Sequence, residues 1–179
     1  MMIVAVIASV GGTILQEINV GVPIWKGSGP VYLVSIFAAY PAVIELVGDA
    51  ALVIGSTATT RLVLGLLQPS VLAMKNHAEQ ILGAWAASAV AFIPLSAASL
   101  FFTRTFGLVA FGFWASVLLV TNAFAIVAIT IISYAFAILT FLKGLDPDHL
   151  VIPIESALAA TVASTALLAA LFLLTHAGG

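Results

Sequence analysis

The sequence predicts an all-α, polytopic membrane protein of about five transmembrane helices. Three observations carry that prediction. Of the 179 residues, 63% are hydrophobic and only 7% charged, where a soluble domain has about 25% charged residues. Mean hydropathy is +1.27, and apolar runs recur that reach the roughly 18 residues needed to cross the hydrocarbon as helix. Strand-type alternation is absent, which argues against a barrel. Residues 1–179 therefore read as a single transmembrane domain. A net charge of −2 with five basic residues excludes nucleic acid as a natural partner. With no cysteine, disulfides and thiolate metal sites are excluded as well.

The first span is expected over about Met1–Ile18. It lacks a basic leading region and a small-residue cleavage site, so it reads as a retained helix rather than a signal peptide. Asn19–Pro30 holds Gly21, Pro23, Gly27, Gly29 and Pro30 and is a loop. Trp25 and Lys26 suit the membrane interface. The second span covers roughly Val31–Ser56 and contains Pro41, which removes one helix hydrogen bond. Thr57–Gln80 mixes Arg61, Gln68-Pro69-Ser70 and Lys75-Asn76-His77 with an apolar piece, Leu62–Leu67, too short to span. It is expected to be a connection with helical pieces at the interface.

The third span is Ile81–Phe102, with Pro94 inside, followed by the short loop Thr103-Arg104-Thr105. Leu108–Leu142 is almost unbroken apolar sequence without a turn signal. Two crossings would need roughly 40 residues plus a turn, so it is one long helix. Thr121, Asn122 and Thr130 mark the side of it that faces protein, and Asn122 suits an interhelical hydrogen bond. Lys143–His149 forms the last loop, in which Asp146-Pro147 suits the cap and first position of the fifth span, about Leu150–Leu174. An inside N-terminus puts Arg61, Lys75 and Lys143 in the cytoplasm, with Lys26 and Arg104 outside.

Glu45 and Asp49 stand out within this frame. Four residues apart, they share one helical face. A carboxylate near mid-bilayer costs roughly 2.5–3.5 kcal/mol even on the lenient insertion scale. Gly48, Ala51 and Gly55 beside them allow a neighbouring backbone to come close. Glu155 is the third acid inside an apolar helix, and none of these helices has Lys or Arg within its apolar body. Oxygen donors without thiolate, and with no His beside them, favour a hard ion such as Mg²⁺. Mg²⁺ dehydrates reluctantly and is held through few carboxylates. The alternatives are a protonated, hydrogen-bonded pair for Glu45 and Asp49, and a first-turn helix acid for Glu155.

The order Pro41-Ala42, Glu45, Gly48-Asp49, Gly55-Ser56 and Arg61-Leu62, followed by Gly144-Leu-Asp-Pro-Asp-His-Leu-Val-Ile-Pro153, resembles the MgtE family of divalent-cation transporters in its short archaeal form. The resemblance implies a dimer with an ion pathway lined by the second and fifth spans. It also implies a main aspartate ligand at a position that falls on Ala160 here. Glu155 offers a carboxylate five residues earlier, and Ser156 occupies a hydroxyl position of the pattern. The expected metal-contacting set is thus Glu45, Asp49, Glu155 and Ser156, with Mg²⁺ as the transported ion and a homodimer or a heterodimer with a related chain in the bilayer. A non-conducting accessory subunit is the second reading, motivated by Ala160. No enzyme is expected: Val47-Gly48-Asp49 matches only part of an intramembrane aspartyl-protease motif, because position 46 is Leu, and Gly55-Ser56-Thr57 breaks the rhomboid pattern.

Overall fold

In a computed structural model, the described residues are Thr13, 31–145 and 147–177. Four helices form the bundle: α1 (Val31–Val63), α2 (Ala78–Phe102), α3 (Leu108–Lys143) and α4 (Pro147–Ala177). All four are long and apolar enough to cross a membrane. They correspond to the second to fifth expected spans; the first lies outside the described residues apart from Thr13. The protein is a multi-pass membrane protein.

Three expected boundaries move: the second span ends later, at Val63, the third begins earlier, at Ala78, and the fifth begins at Pro147 rather than about Leu150. The second span does not stop at Ser56, because α1 runs on through Thr57–Val63. Its hydroxyls make this possible: Thr57 donates to the Val53 carbonyl (2.5 Å), Thr59 to Gly55 (2.9 Å) and Thr60 to Ser56 (2.8 Å). Polar residues are thereby satisfied by the helix itself. The stop comes at Gly65, whose φ of +69° is the left-handed conformation that closes helices. The Leu66 N–H bonds back to the Arg61 carbonyl at 2.9 Å. The connection is therefore shorter than expected and contains a 3₁₀ helix, Val71–His77, capped by Ser70 through the Leu72 N–H (3.3 Å).

The long α3 is a single helix as expected, ending at Gly144 (φ +59°) with the Leu145 N–H on the Thr140 carbonyl. Helix α4 starts at Pro147. Asp146, its expected cap, lies outside the described residues.

Helices α1 and α3 form the centre, flanked by α2 and α4. The main core joins Val43, Val47 and Ile54 of α1 to Phe92, Trp114, Leu118, Ile129 and Leu167. A smaller cluster joins Ala58 and Leu62 of α1 to Tyr134, Ala137 and Ile138 of α3. The two central helices therefore run in the same direction, and Arg61, Lys75 and Lys143 share one end of the bundle. Arg104 sits at the opposite end, where Ser35 bonds Thr103 (2.8 Å) and Thr105 (3.2 Å).

Candidate functional site

Around α1, the buried residues Val43, Val47, Ala51, Ile54 and Ala58 face the core. The outward arc carries Ala38, Pro41, Glu45, Asp49, Leu52, Ser56 and Thr60, all exposed. At 1.5 Å per residue, Glu45 lies about 21 Å from the start of α1, and Asp49 lies about 21 Å from its end. Both carboxylates are thus near the middle of α1, on the side of the helix facing away from the core. Among the described residues, neither has a hydrogen-bond or ion-pair partner. Arg61 does not reach them; its Nη1 donates to the Asn76 carbonyl and to Gln80 Oε1, each at 3.2 Å.

The contact between α1 and α4 is made by other residues. A Cβ added to Gly48 would meet the Ala159 Cβ at 3.6 Å, so the two backbones are close there. Tyr40 Oη and Ser164 Oγ are 2.6 Å apart, and Ser164 itself donates to the Ala160 carbonyl at 2.7 Å. The two pairs, 48 with 159 and 40 with 164, make the helices antiparallel. Small residues thus line this contact on α4. Backbone position 155 is one turn before Ala159, which sets it about 5 Å along the axis from the level of Asp49. The side chains of Glu155 and Ser156 lie outside the described residues. Within the chain, then, the α1 acids do not point at α4: Glu45 faces outward, and Asp49 leans towards α2.

Asp49 lines a cleft of about 170 Å³ with Leu46, Ala50 and Val53 of α1 and Ala84, Ala87 and Ser88 of α2. Ser88 is tied into the bundle, its hydroxyl lying 2.8 Å from Asn122 Oδ1 and 2.9 Å from the Trp85 carbonyl. Asn122 Nδ2 donates to the same Trp85 carbonyl at 3.2 Å. The expected interhelical bond of Asn122 is therefore present, and Thr121 and Thr130 are buried with it. A second cleft, about 360 Å³, lies towards the Arg61 end and is lined by Ser56, Thr57, Thr60, Arg61 and Gln80. The place of Ser88 and Gln80 beside α1 depends on the α1–α2 register, which the sequence pattern of either helix alone does not give.

His77 is fully buried, with Nε2 3.1 Å from Thr57 Oγ1. Among the described residues, no three His, Asp or Glu side chains converge on a point that could hold a metal. The described residues thus offer a carboxylate-bearing face and, between α1 and α2, two clefts. Together they define a multi-pass helical membrane protein with an outward-facing acidic stripe. No family model matches the sequence, and neither a curated protein nor a solved structure matches it.

Proposed function

We propose that this chain is a divalent-cation transporter or channel, best suited to Mg²⁺, that works as a dimer with the acidic face of α1 turned to its partner. The carrying observation is the exposure of Glu45 and Asp49 halfway along α1, without a partner among the described residues. Left against lipid as charges, two carboxylates cost roughly 5–7 kcal/mol at 2.5–3.5 each. A partner's surface holding water and a cation between the two copies removes that penalty. An all-oxygen site with room for bound water suits Mg²⁺, which keeps several of its waters.

The resemblance of the Pro41–Leu62 and Gly144–Pro153 motifs to MgtE transporters supports the same pair of helices, α1 and α4. The axial level of position 155, close to that of Asp49, is compatible with Glu155 and Ser156 contributing from α4. The second reading, an accessory subunit in a heterodimer, is favoured by one residue. Ala160 stands where the resemblance implies an aspartate, and it cannot ligate a metal through its side chain.

The test is Mg²⁺ uptake into liposomes containing only this chain. Asp49→Asn and Glu45→Gln are each expected to lower uptake more than about tenfold, a loss of some 1.4 kcal/mol of barrier stabilisation. Glu155→Gln is expected to lower it as well. Uptake indifferent to all three substitutions would remove the acids from the pathway. No uptake by well-inserted protein would favour the accessory subunit.

A further inference from the structure

We infer that the groove between α1 and α2 is a water-filled access path, by which a hydrated cation reaches Asp49 from the Arg61 end of the bundle within a single subunit. The inference rests on the reading of Asp49 as a cation ligand and adds a route to it. The two clefts lie along one groove. Helix α1 contributes Thr60, Ser56, Val53 and Asp49 at successive three- and four-residue steps, so all four fall on one side. Helix α2 contributes Gln80, Ala84 and Ser88 at the same repeat, running the other way. From Thr60 to Asp49 the path is about 16 Å long.

The groove's polarity suits water and hydrated cations. The proton of Thr60 is committed to the Ser56 carbonyl at 2.8 Å, which leaves its lone pairs for the cleft. Ser88 has one proton, shared between Trp85 and Asn122, and so presents acceptor capacity at the level of Asp49. Clefts of about 360 and 170 Å³ hold several waters, since one needs roughly 10–15 Å³ of free volume.

Between the polar mouth and Asp49, Val53 and Ala84 form an apolar step of the kind that gates by dewetting. Arg61, pinned at the mouth by Asn76 and Gln80, opposes cation entry. It lies about 18 Å along the axis from Asp49. That exceeds the roughly 8 Å screening length at physiological salt, so it acts on entry and not on binding at Asp49. Among the described residues the groove is open along the outward arc of α1, the face that the proposal above turns to a second copy.

The absence of cysteine makes the test direct. Single cysteines are placed in the full chain at Thr60, Ser56, Asp49 and Ser88, with Val127→Cys on the exposed face of α3 as the lipid control. Proteoliposomes are treated with a membrane-impermeant thiol reagent from either side. Thiols react as thiolate, which forms in water and not in lipid. All four positions are expected to react at least about tenfold faster than Val127→Cys from the Arg61 side only, with Val53→Trp slowing Ser88→Cys.

Labelling of Asp49→Cys and Ser88→Cys no faster than the control would mean that acyl chain fills the groove, and would overturn the proposal. Labelling from the opposite side would overturn it equally. The outcomes separate from those of transport. A wet groove without Mg²⁺ uptake keeps the path and removes the transporter. A dry groove with Asp49-dependent uptake keeps the transporter and removes the path. If Asp49→Cys fails to insert, Ser88→Cys reads the same level.

Discussion

Helices α1 and α3 both carry polar residues deep in the membrane, and they dispose of them in opposite ways. In α3, Thr121 and Asn122 are buried and satisfied: Thr121 donates to the Val117 carbonyl at 2.8 Å, and Asn122 bonds Ser88 and the Trp85 carbonyl. In α1, Glu45 and Asp49 point away from the core and have no partner among the described residues. An inward polar group with partners contributes to packing. An outward carboxyl group without such partners contributes nothing to packing among the described residues. Direction, and not residue polarity alone, therefore distinguishes Thr121 and Asn122 from Glu45 and Asp49.

The largest effect that tests this division is expected on the inner side of α1 itself. Gly48→Leu places a branched side chain where even a Cβ lies 3.6 Å from Ala159, and it forces α1 and α4 apart. Overpacking of this kind costs about 1–3 kcal/mol. Glu45→Gln, one turn away on the outward arc, is expected to change unfolding by less than about 0.5 kcal/mol, or to stabilise. Unfolding in mixed micelles measures both. Equal losses from the two substitutions would mean that the outward carboxylate has a structural partner, and the division would fail.

A smaller effect is expected in α3. Asn122→Ala removes the acceptor of Ser88 and one donor to Trp85. Interhelical hydrogen bonds in membranes are worth about 0.6 kcal/mol on average and up to about 1.7. A loss near 1 kcal/mol in the same unfolding assay, with Mg²⁺ uptake per folded molecule kept, would make Asn122 a packing residue. Uptake that collapsed without a stability change would move it to the pathway, since Ser88 lines the Asp49 cleft.

The sequence already carried the long helices. Hydropathy marks the four described helices, and the missing turn signal in Leu108–Leu142 sets α3 as one piece. It also carried Asn122 as a bonded residue. The end of α1 was not legible, because Thr57, Thr59, Thr60 and Arg61 look like a polar loop until their hydroxyls are seen bonded to the helix carbonyls one turn back. The direction of Glu45 and Asp49 was hidden for a different reason. Four-residue spacing says that two side chains share a face, but not which face, and apolar residues surround this helix on every side. The α1–α2 clefts depend on the register of two helices distant in sequence, which no local pattern encodes.

The smallest effect lies at a helix end, away from both faces, and sets the scale for the others. Three described helix ends close in the same way, with a residue at positive φ and a backbone bond reaching back five residues: Gly65, Arg104 and Gly144. At Arg104 the φ is +58°, and the Thr105 N–H bonds the Leu100 carbonyl at 2.9 Å. A side chain there is crowded by its own backbone, so Arg104→Gly is expected to stabilise by about 0.5–1 kcal/mol. Gly144→Ala, the reverse change at an equivalent end, is expected to destabilise by a similar amount. If both substitutions shift unfolding as stated while Mg²⁺ uptake is unmoved, changes of that size carry no functional information in this protein. Only an uptake loss exceeding what the stability change accounts for then assigns a residue to the acidic face.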